Sequence, residues 1–239
     1  MSAEAIREGL ETEKASLQSS SAHAAVSSRS PPPPPPPPPL PSQPAFLQTP
    51  NAVNNPNAPL SKIEAGLYLG DRSSSHLNHI LEKEITAVVS LDTVRPDWWH
   101  TADWRKQVPP PCHLYIDCED SILQNIVVYF ADVCDFIEKC RSSGSVVLVH
   151  CQAGASRSAT AVVAYIMRKY RLSVNDALAR VKESRKVNPN KSFMAQLGIW
   201  EETGYDIWQD AARTIPKGPY NAYLTERVSW QRQHGLADA

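Results

Sequence analysis

A cysteine and an arginine stand six positions apart in the segment VVLVHCQAGASRSAT, which covers residues 146–160. The apolar run before Cys151 predicts a buried strand, and the apolar run after Arg157 predicts a helix. A loop that turns straight into a helix can direct several backbone N–H groups at one point, where the helix N-terminus adds positive potential. Gly154 allows the tight backbone of such a loop, and the guanidinium of Arg157 matches phosphate oxygens. The segment therefore predicts a cradle for a phosphate-sized dianion.

The thiol of Cys151 lies at the floor of this predicted cradle. The field that binds an anion also stabilises a thiolate, and a thiolate beneath a bound phosphoryl group is a nucleophile aimed at phosphorus. The alternative is that Cys151 is an inert core thiol and Arg157 a surface charge. The alternative is disfavoured because, of the five cysteines, only Cys151 has an arginine six positions later, with a glycine between them and a predicted strand and helix on either side.

The composition narrows the class of protein. The chain has 24 basic and 25 acidic residues and a net charge of −1, which argues against a nucleic-acid-binding protein. It has no run of about 18 apolar residues, so no membrane span is expected. The N-terminus lacks the apolar core of a signal peptide. Together with an odd number of cysteines, read as reduced thiols, this predicts a cytoplasmic or nuclear location or both.

Residues 1–57 differ in composition from the rest and are predicted to be a disordered, low-complexity tail. Within this tail the unbroken run Pro31–Pro39 predicts a stiff polyproline II rod. Two interpretations of the rod stay open. It docks into an aromatic groove of the SH3, WW or profilin type, or it is a spacer without a partner.

Predicted strands and helices alternate through residues 58–207, which indicates one α/β domain with a central, mostly parallel sheet flanked by helices. The predicted strands include residues 66–70, 85–91 and a stretch ending near 117, besides the run before Cys151. Helices are predicted over about 126–140, 156–171, 174–185 and 191–203. Residues 208–239 form a predicted C-terminal extension with one helix.

A long connection over residues 92–111 is predicted to be irregular and contains Trp98, Trp99 and Trp104. These three rings either line a substrate surface or fold back on the domain as a satellite cluster, and the second interpretation is favoured.

Beyond these patterns, the segment VLVHCQAGASRSAT resembles the active-site signature of the cysteine-dependent protein-tyrosine-phosphatase superfamily, and AGxSRS resembles that of the dual-specificity phosphatases. The resemblance covers about residues 61–202. GLYLG resembles the family's first strand, LYIDCEDS its general-acid loop, AYIMRK the helix after the signature, and NPNKSFMAQL its closing helix. Because nothing here resembles a kinase-docking domain, the resemblance is to an atypical, small member with a protein-tyrosine-phosphatase-like fold.

The resemblance implies roles for individual residues. Cys151 is the implied nucleophile, Ser158 the hydroxyl that stabilises the departing thiolate, and His150 the residue that orders the loop and tunes the thiol. Asp120 is the implied general acid, although the residues alone do not choose among Asp117, Glu119 and Asp120. The implied phosphate-binding residues are Gln152, Ala153, Gly154, Ala155, Ser156 and Arg157. No cofactor or metal ion is expected, since amides and an arginine build the anion hole.

The implied substrates are phosphoproteins that carry phosphotyrosine, phosphoserine or phosphothreonine, cleaved through a phosphocysteine intermediate. Relatives that act on phosphoinositides usually have lysines in the loop, where this chain has Gln152 and Ala155. Two alternatives stay open at this point: a phosphatase of a non-protein phosphate ester, and a non-catalytic phospho-binding adaptor that acts through its polyproline tail.

Overall fold

The computed structural model describes residues 59–235, so the predictions for residues 1–57, including the Pro31–Pro39 rod, lie outside the described residues. Its sheet has five strands in the order β1-β2-β5-β3-β4. All neighbours pair in parallel except β1 and β2. The predicted mostly parallel α/β sheet is confirmed. The strands are β1 (Leu60–Glu64), β2 (Leu67–Gly70), β3 (Ile85–Leu91), β4 (His113–Ile116) and β5 (Val146–His150).

The sequence patterns did not predict β1. It is a five-residue edge strand, LSKIE, with only two buried residues, so it carries little apolar signal. It pairs with β2 through a turn in which Gly66 has a φ of +73°, a conformation that glycine adopts without strain.

The helices of the described part flank this sheet. The helices predicted over about 156–171, 174–185 and 191–203 are confirmed to within one residue, whereas the one predicted over 126–140 begins as a 3₁₀ turn and becomes an α-helix only at Phe130. None of the helices in residues 59–235 is long and apolar enough to cross a membrane. They are α1 (Leu77–Glu82), α2 (Ala102–Gln107), α3 (Phe130–Ser142), α4 (Arg157–Tyr170), α5 (Val174–Ser184), α6 (Lys191–Glu202) and α7 (Gly218–Gln233), with 3₁₀ turns at Arg72–Ser75, Asp97–His100, Pro110–Cys112 and Val127–Tyr129.

Both faces of the sheet are buried, as expected for parallel strands. One face packs against α3, α4, α5 and α6, and the first eleven residues of α4 are all buried there. The other face packs against α1 and the connection between β3 and β4. The middle strand β5 therefore alternates between two cores: Val147 and Val149 face the first, and Leu148 faces the second.

The connection between β3 and β4 is more regular than predicted, because it contains α2 and two 3₁₀ turns. Trp99 and Trp104 are almost fully buried in the second core. The indole N–H of Trp99 donates to the hydroxyl of Ser75 at 3.0 Å, and that of Trp104 donates to the Ser75 carbonyl at 2.9 Å. The interpretation that the tryptophans fold back on the domain is confirmed for these two; Trp98 packs at the margin of the same core.

Helix α7 packs against the main core through its first turn. Tyr220 is buried there, and its hydroxyl accepts a hydrogen bond from the side-chain amide of Asn125 at 2.9 Å. The Trp208 ring packs edge-on against Tyr220 at 5.4 Å between centroids. The division of the chain at residues 57 and 207 stays a prediction.

A buried glutamine of α6 holds the segment that follows β4. The Oε1 atom of Gln196 accepts from the backbone N–H groups of Ile126 and Val127 at 2.7 and 3.0 Å. Its Nε2 atom donates to the carbonyl of Gln124 at 2.8 Å. Because N–H groups that precede a helix lack partners within it, this one side chain satisfies backbone groups that would otherwise be buried unpaired.

We predict that Gln196→Leu lowers the free energy of unfolding by about 2–4 kcal/mol, since two buried N–H groups lose their acceptor. Denaturant unfolding followed by circular dichroism measures the change, with Gln233→Leu at an exposed position of α7 as the matched control. Equal stability of the two variants would contradict this role.

Candidate active site

Four loops meet at one edge of the sheet. The parallel strands β2, β3, β4 and β5 all end there, and His150 at the end of β5 lies in register with Gly70 of β2 and Ser90 of β3. The residues that follow each strand are therefore brought close together, which is the usual position for a binding site in an open α/β sheet.

The sulfur of Cys151 receives two hydrogen bonds at the start of the loop that follows β5. The backbone N–H of Gly154 donates to it at 3.2 Å, and the hydroxyl of Ser158 donates to it at 3.1 Å. The side chain is buried, with 1% of the residue exposed. Helix α4 begins at Arg157, so the sulfur also lies near a helix N-terminus. Donors and a positive helix end both stabilise a thiolate.

The loop can close around the sulfur only because residue 154 is a glycine. Gly154 has a φ of +66°, and a Cβ atom there would lie 2.6 Å from the backbone carbon and oxygen of Gly70. Both the left-handed conformation and this contact exclude a side chain.

Several donors around Cys151 are not used within the described part of the chain. Among residues 59–235, the backbone N–H groups of Gln152, Ala153, Ala155 and Ser156 have no acceptor. The Nε atom of Arg157 is likewise buried without a hydrogen-bond partner in this part of the chain. A buried donor such as this Nε atom is seldom left unpaired, and an anion bound beside the sulfur would accept from it and from the loop N–H groups.

The other end of the Arg157 guanidinium is held in place. Its Nη1 atom donates to the carbonyl of Cys118 at 3.0 Å and lies 3.5 Å from the Oδ1 atom of Asp92. Asp92 is fully buried and receives two further hydrogen bonds from Arg72, from Nε at 2.9 Å and from Nη2 at 2.8 Å. Burial alone would raise the pKa of Asp92, but the hydrogen bonds and charge of Arg72 and the charge of Arg157 lower it.

Sequence reasoning missed both Asp92 and Arg72. The signal available for Asp92 was its place directly after the apolar run of β3, at the carboxyl end of a parallel strand. Arg72 has no comparable signal, because its role depends on the contact with Asp92, which is 20 positions away.

Asp120 lies at the edge of the loop. Its Oδ1 atom accepts a hydrogen bond from the hydroxyl of Ser156 at 2.8 Å and from the side-chain amide of Asn190 at 2.9 Å. All three carboxylates that follow β4 are exposed, and within the described residues Asp120 alone among them makes a hydrogen bond to the loop.

Asn190 was also missed. It is the N-cap of α6, and its Oδ1 atom accepts from the backbone N–H of Phe193 at 3.0 Å. An asparagine before an apolar helix predicts a cap, but only the folded chain joins this cap to Asp120.

The segment after α5 supports the loop from behind. Arg185 is buried, and its Nε atom donates to the carbonyl of Gly154 at 2.9 Å. The backbone N–H of Asn188 donates to the carbonyl of Ala155 at 2.8 Å. These two bonds use loop carbonyls, which leaves the loop N–H groups for a ligand. Burial lowers the pKa of Arg185.

His150 is buried beneath the loop as a neutral imidazole. Burial lowers its pKa to about 4. Its Nε2 atom lies 2.8 Å from the hydroxyl oxygen of Ser90. The structure thus brings together every predicted site residue at one edge of the sheet, and it adds Arg72, Asp92, Arg185 and Asn190. Within residues 59–235, no group of three or more His, Cys, Asp or Glu side chains is arranged to hold a metal ion.

Comparisons with known proteins agree with this geometry. The family described as "dual specificity phosphatase, catalytic domain" matches residues 67–203. The chain is 34% identical over 180 residues to the tyrosine-protein phosphatase yvh1 of Schizosaccharomyces pombe, covering 74% of this chain and 49% of that protein. It is 33% identical over 169 residues to dual specificity protein phosphatase 22 of Xenopus tropicalis, covering 68% of this chain and 75% of that protein. The chain therefore spans about half the length of the first of these relatives.

Solved structures give the same result. The Yvh1 phosphatase domain from Chaetomium thermophilum has a TM-score of 0.55 and 31% identity, covering 62% of this chain and 99% of that one. The human tyrosine phosphatase-like serine/threonine/tyrosine-interacting protein has a TM-score of 0.54 and 30% identity, covering 60% of this chain and 96% of that one. Sequence and structure agree that this chain belongs to the dual specificity phosphatase catalytic-domain family.

Proposed function

We propose that this protein is a phosphatase that hydrolyses phosphotyrosine and phosphoserine or phosphothreonine in proteins through a phosphocysteine intermediate. The observation that carries the proposal is the sulfur of Cys151, which receives two hydrogen bonds and lies among backbone N–H groups that have no acceptor in the described part of the chain. Family membership supports the same reaction.

In the first step the Cys151 thiolate attacks phosphorus and the bond from phosphorus to the leaving oxygen breaks. The leaving oxygen takes a proton from Asp120, which lies against the loop through Ser156. The guanidinium of Arg157 and the loop N–H groups hold the three remaining phosphoryl oxygens. Because Arg157 is already oriented by Cys118 and Asp92, little reorganisation is needed when charge develops.

In the second step a water molecule attacks the phosphocysteine. Asp120, now a carboxylate, accepts a proton from that water, and the sulfur leaves as a thiolate. The hydroxyl of Ser158, 3.1 Å from the sulfur, stabilises the departing charge. Inorganic phosphate is released, and the enzyme returns to its starting state with no cofactor in either step.

The proposed substrates are phosphoproteins. The loop presents uncharged side chains, Gln152 and Ala155, where a lysine would favour a polyanionic lipid headgroup. We further propose that the Pro31–Pro39 rod binds an SH3, WW or profilin-type partner, and that the protein acts in the cytoplasm, the nucleus or both, where its cysteines stay reduced.

We predict that Cys151→Ser abolishes hydrolysis of an aryl phosphate and leaves the unfolding midpoint nearly unchanged, because serine keeps the size of the side chain but is not ionised at neutral pH. Absorbance of the released phenol measures turnover. Cys140→Ser, on α3 away from the loop, is the matched control and stays active. Turnover by Cys151→Ser would disprove the nucleophile, and a wild-type protein that binds phosphopeptides without turnover would indicate the adaptor function instead.

We predict a bell-shaped dependence of kcat/KM on pH. Activity rises as Cys151 loses its proton and falls as Asp120 loses its own, since the first step needs a thiolate and a protonated acid. Asp120→Asn removes the falling limb, because the amide does not titrate, and lowers kcat by about 10²–10⁴-fold on a phosphopeptide. The loss is smaller on an aryl phosphate with an acidic phenol, which leaves without a proton.

Asp117→Asn and Glu119→Gln are the matched controls for this assignment and retain the falling limb. If the limb disappears in one of these controls and persists in Asp120→Asn, the general acid is that other carboxylate.

A further inference from the structure

A chain of four polar side chains runs from α2 to the residue next to the nucleophile. The Nη1 atom of Arg105 lies 3.4 Å from Nδ1 of His113. The Nε2 atom of His113 lies 2.9 Å from the hydroxyl oxygen of Ser90, and that oxygen lies 2.8 Å from Nε2 of His150. These residues come from α2, β4, β3 and β5, so the chain crosses the sheet beneath the loop.

Arg105 sets the direction of the hydrogen bonds along this chain of four side chains. A guanidinium only donates, so Nδ1 of His113 accepts and the proton of its neutral ring is on Nε2. That N–H donates to the oxygen of Ser90, whose own hydroxyl proton then points to Nε2 of His150. His150 accepts there and therefore carries its proton on Nδ1. Nδ1 is buried and makes no hydrogen bond in the described part of the chain. The backbone of Cys151 favours the protonated ring and so raises the pKa of His150, against the larger effect of burial.

The surroundings keep both rings neutral, with His150 fully buried and His113 partly buried. Burial lowers the pKa of His113 to about 3 and that of His150 to about 4. The Trp99 ring packs edge-on against both, at 4.9 Å from His113 and 5.6 Å from His150 between centroids. The Trp104 ring packs at a tilt against His113, at 5.0 Å between centroids. The charged or titratable groups that face the two histidines are Asp71, Arg72, Asp92, Arg95, His100 and Arg105.

We propose that Arg105 fixes the tautomer of His150 through His113 and Ser90, so that the Nδ1–H of His150 donates toward the backbone of Cys151. Arg105, His113 and Ser90 are then positioning residues that act on the nucleophile without touching substrate. The importance of this chain for catalysis rests on the phosphatase function proposed above, but the tautomer itself does not depend on it.

The test is a measurement of the His150 tautomer by long-range ¹⁵N–¹H correlation spectra of the full chain at neutral pH. The wild-type protein is expected to carry the proton on Nδ1 of His150. Arg105→Met keeps the packing on Trp104 but removes the donor, and should populate the Nε2–H form. Arg105→Lys keeps a donor and should restore the wild-type pattern. Ser90→Ala removes the hydroxyl that links His113 to His150 and should behave like Arg105→Met.

A second readout follows the nucleophile without turnover. The rate of iodoacetamide labelling of Cys151 at pH 6, measured by mass spectrometry, should fall about fivefold in Arg105→Met, the effect expected when one neutral hydrogen bond is lost, and should be normal in Arg105→Lys. The buried thiols Cys118 and Cys134, whose pKa burial raises to about 12, do not compete.

A proton on Nε2 of His150 in the wild-type protein would overturn the proposal. An unchanged tautomer in Arg105→Met, or unchanged labelling of Cys151, would do the same. A wild-type protein with no phosphatase activity but with the expected tautomers would refute the proposed function and leave the tautomer assignment standing.

Discussion

The buried carboxylate of Asp92 is the interaction on which the site depends. It joins Arg72, which follows β2, to Arg157, which opens α4, and it stands itself at the end of β3. A carboxylate without solvent is costly unless it is paired and hydrogen-bonded, and the two-point contact with Arg72 meets that requirement. The consequence is that the ends of β2 and β3 and the side chain of Arg157, the proposed phosphate-binding arginine, are held in one geometry before any substrate arrives, so that binding requires little ordering.

The sheet explains why this geometry is rigid. The strands beneath the loop are covered on both faces, and β5 alternates between the two cores. The second core, with Trp99 and Trp104, also packs against the polar chain from Arg105 to His150, in which Ser90 and His150 are buried and Arg105 and His113 are partly buried. Polar groups in such a setting interact strongly, because the local dielectric is low. Trp99 and Trp104 lie within the second core rather than at the protein surface.

Some of the site was predictable because it is local in the chain. The strand, loop and helix around Cys151 are contiguous, so the spacing of Cys151, Gly154 and Arg157 carries their geometry with it. The same holds for α4, α5 and α6, whose apolar periodicity predicts their positions to within one or two residues. Strand β1 was not predictable in this way, since a short edge strand with few buried residues has no clear period.

The sequence alone determined the chemistry that is possible here: a thiol at the end of a buried strand, a glycine that lets the loop close, and an arginine at a helix N-terminus. It left three carboxylates as equal candidates for the acid. The tertiary structure brought Asp120 against Ser156 and Asn190, set Asp92 between two arginines, and lined up four side chains behind Cys151, the proposed nucleophile. These contacts join residues 8 to 70 positions apart. Only the packing of the sheet and its helices decides them, because local propensity and periodicity contain no information about which distant side chains will meet.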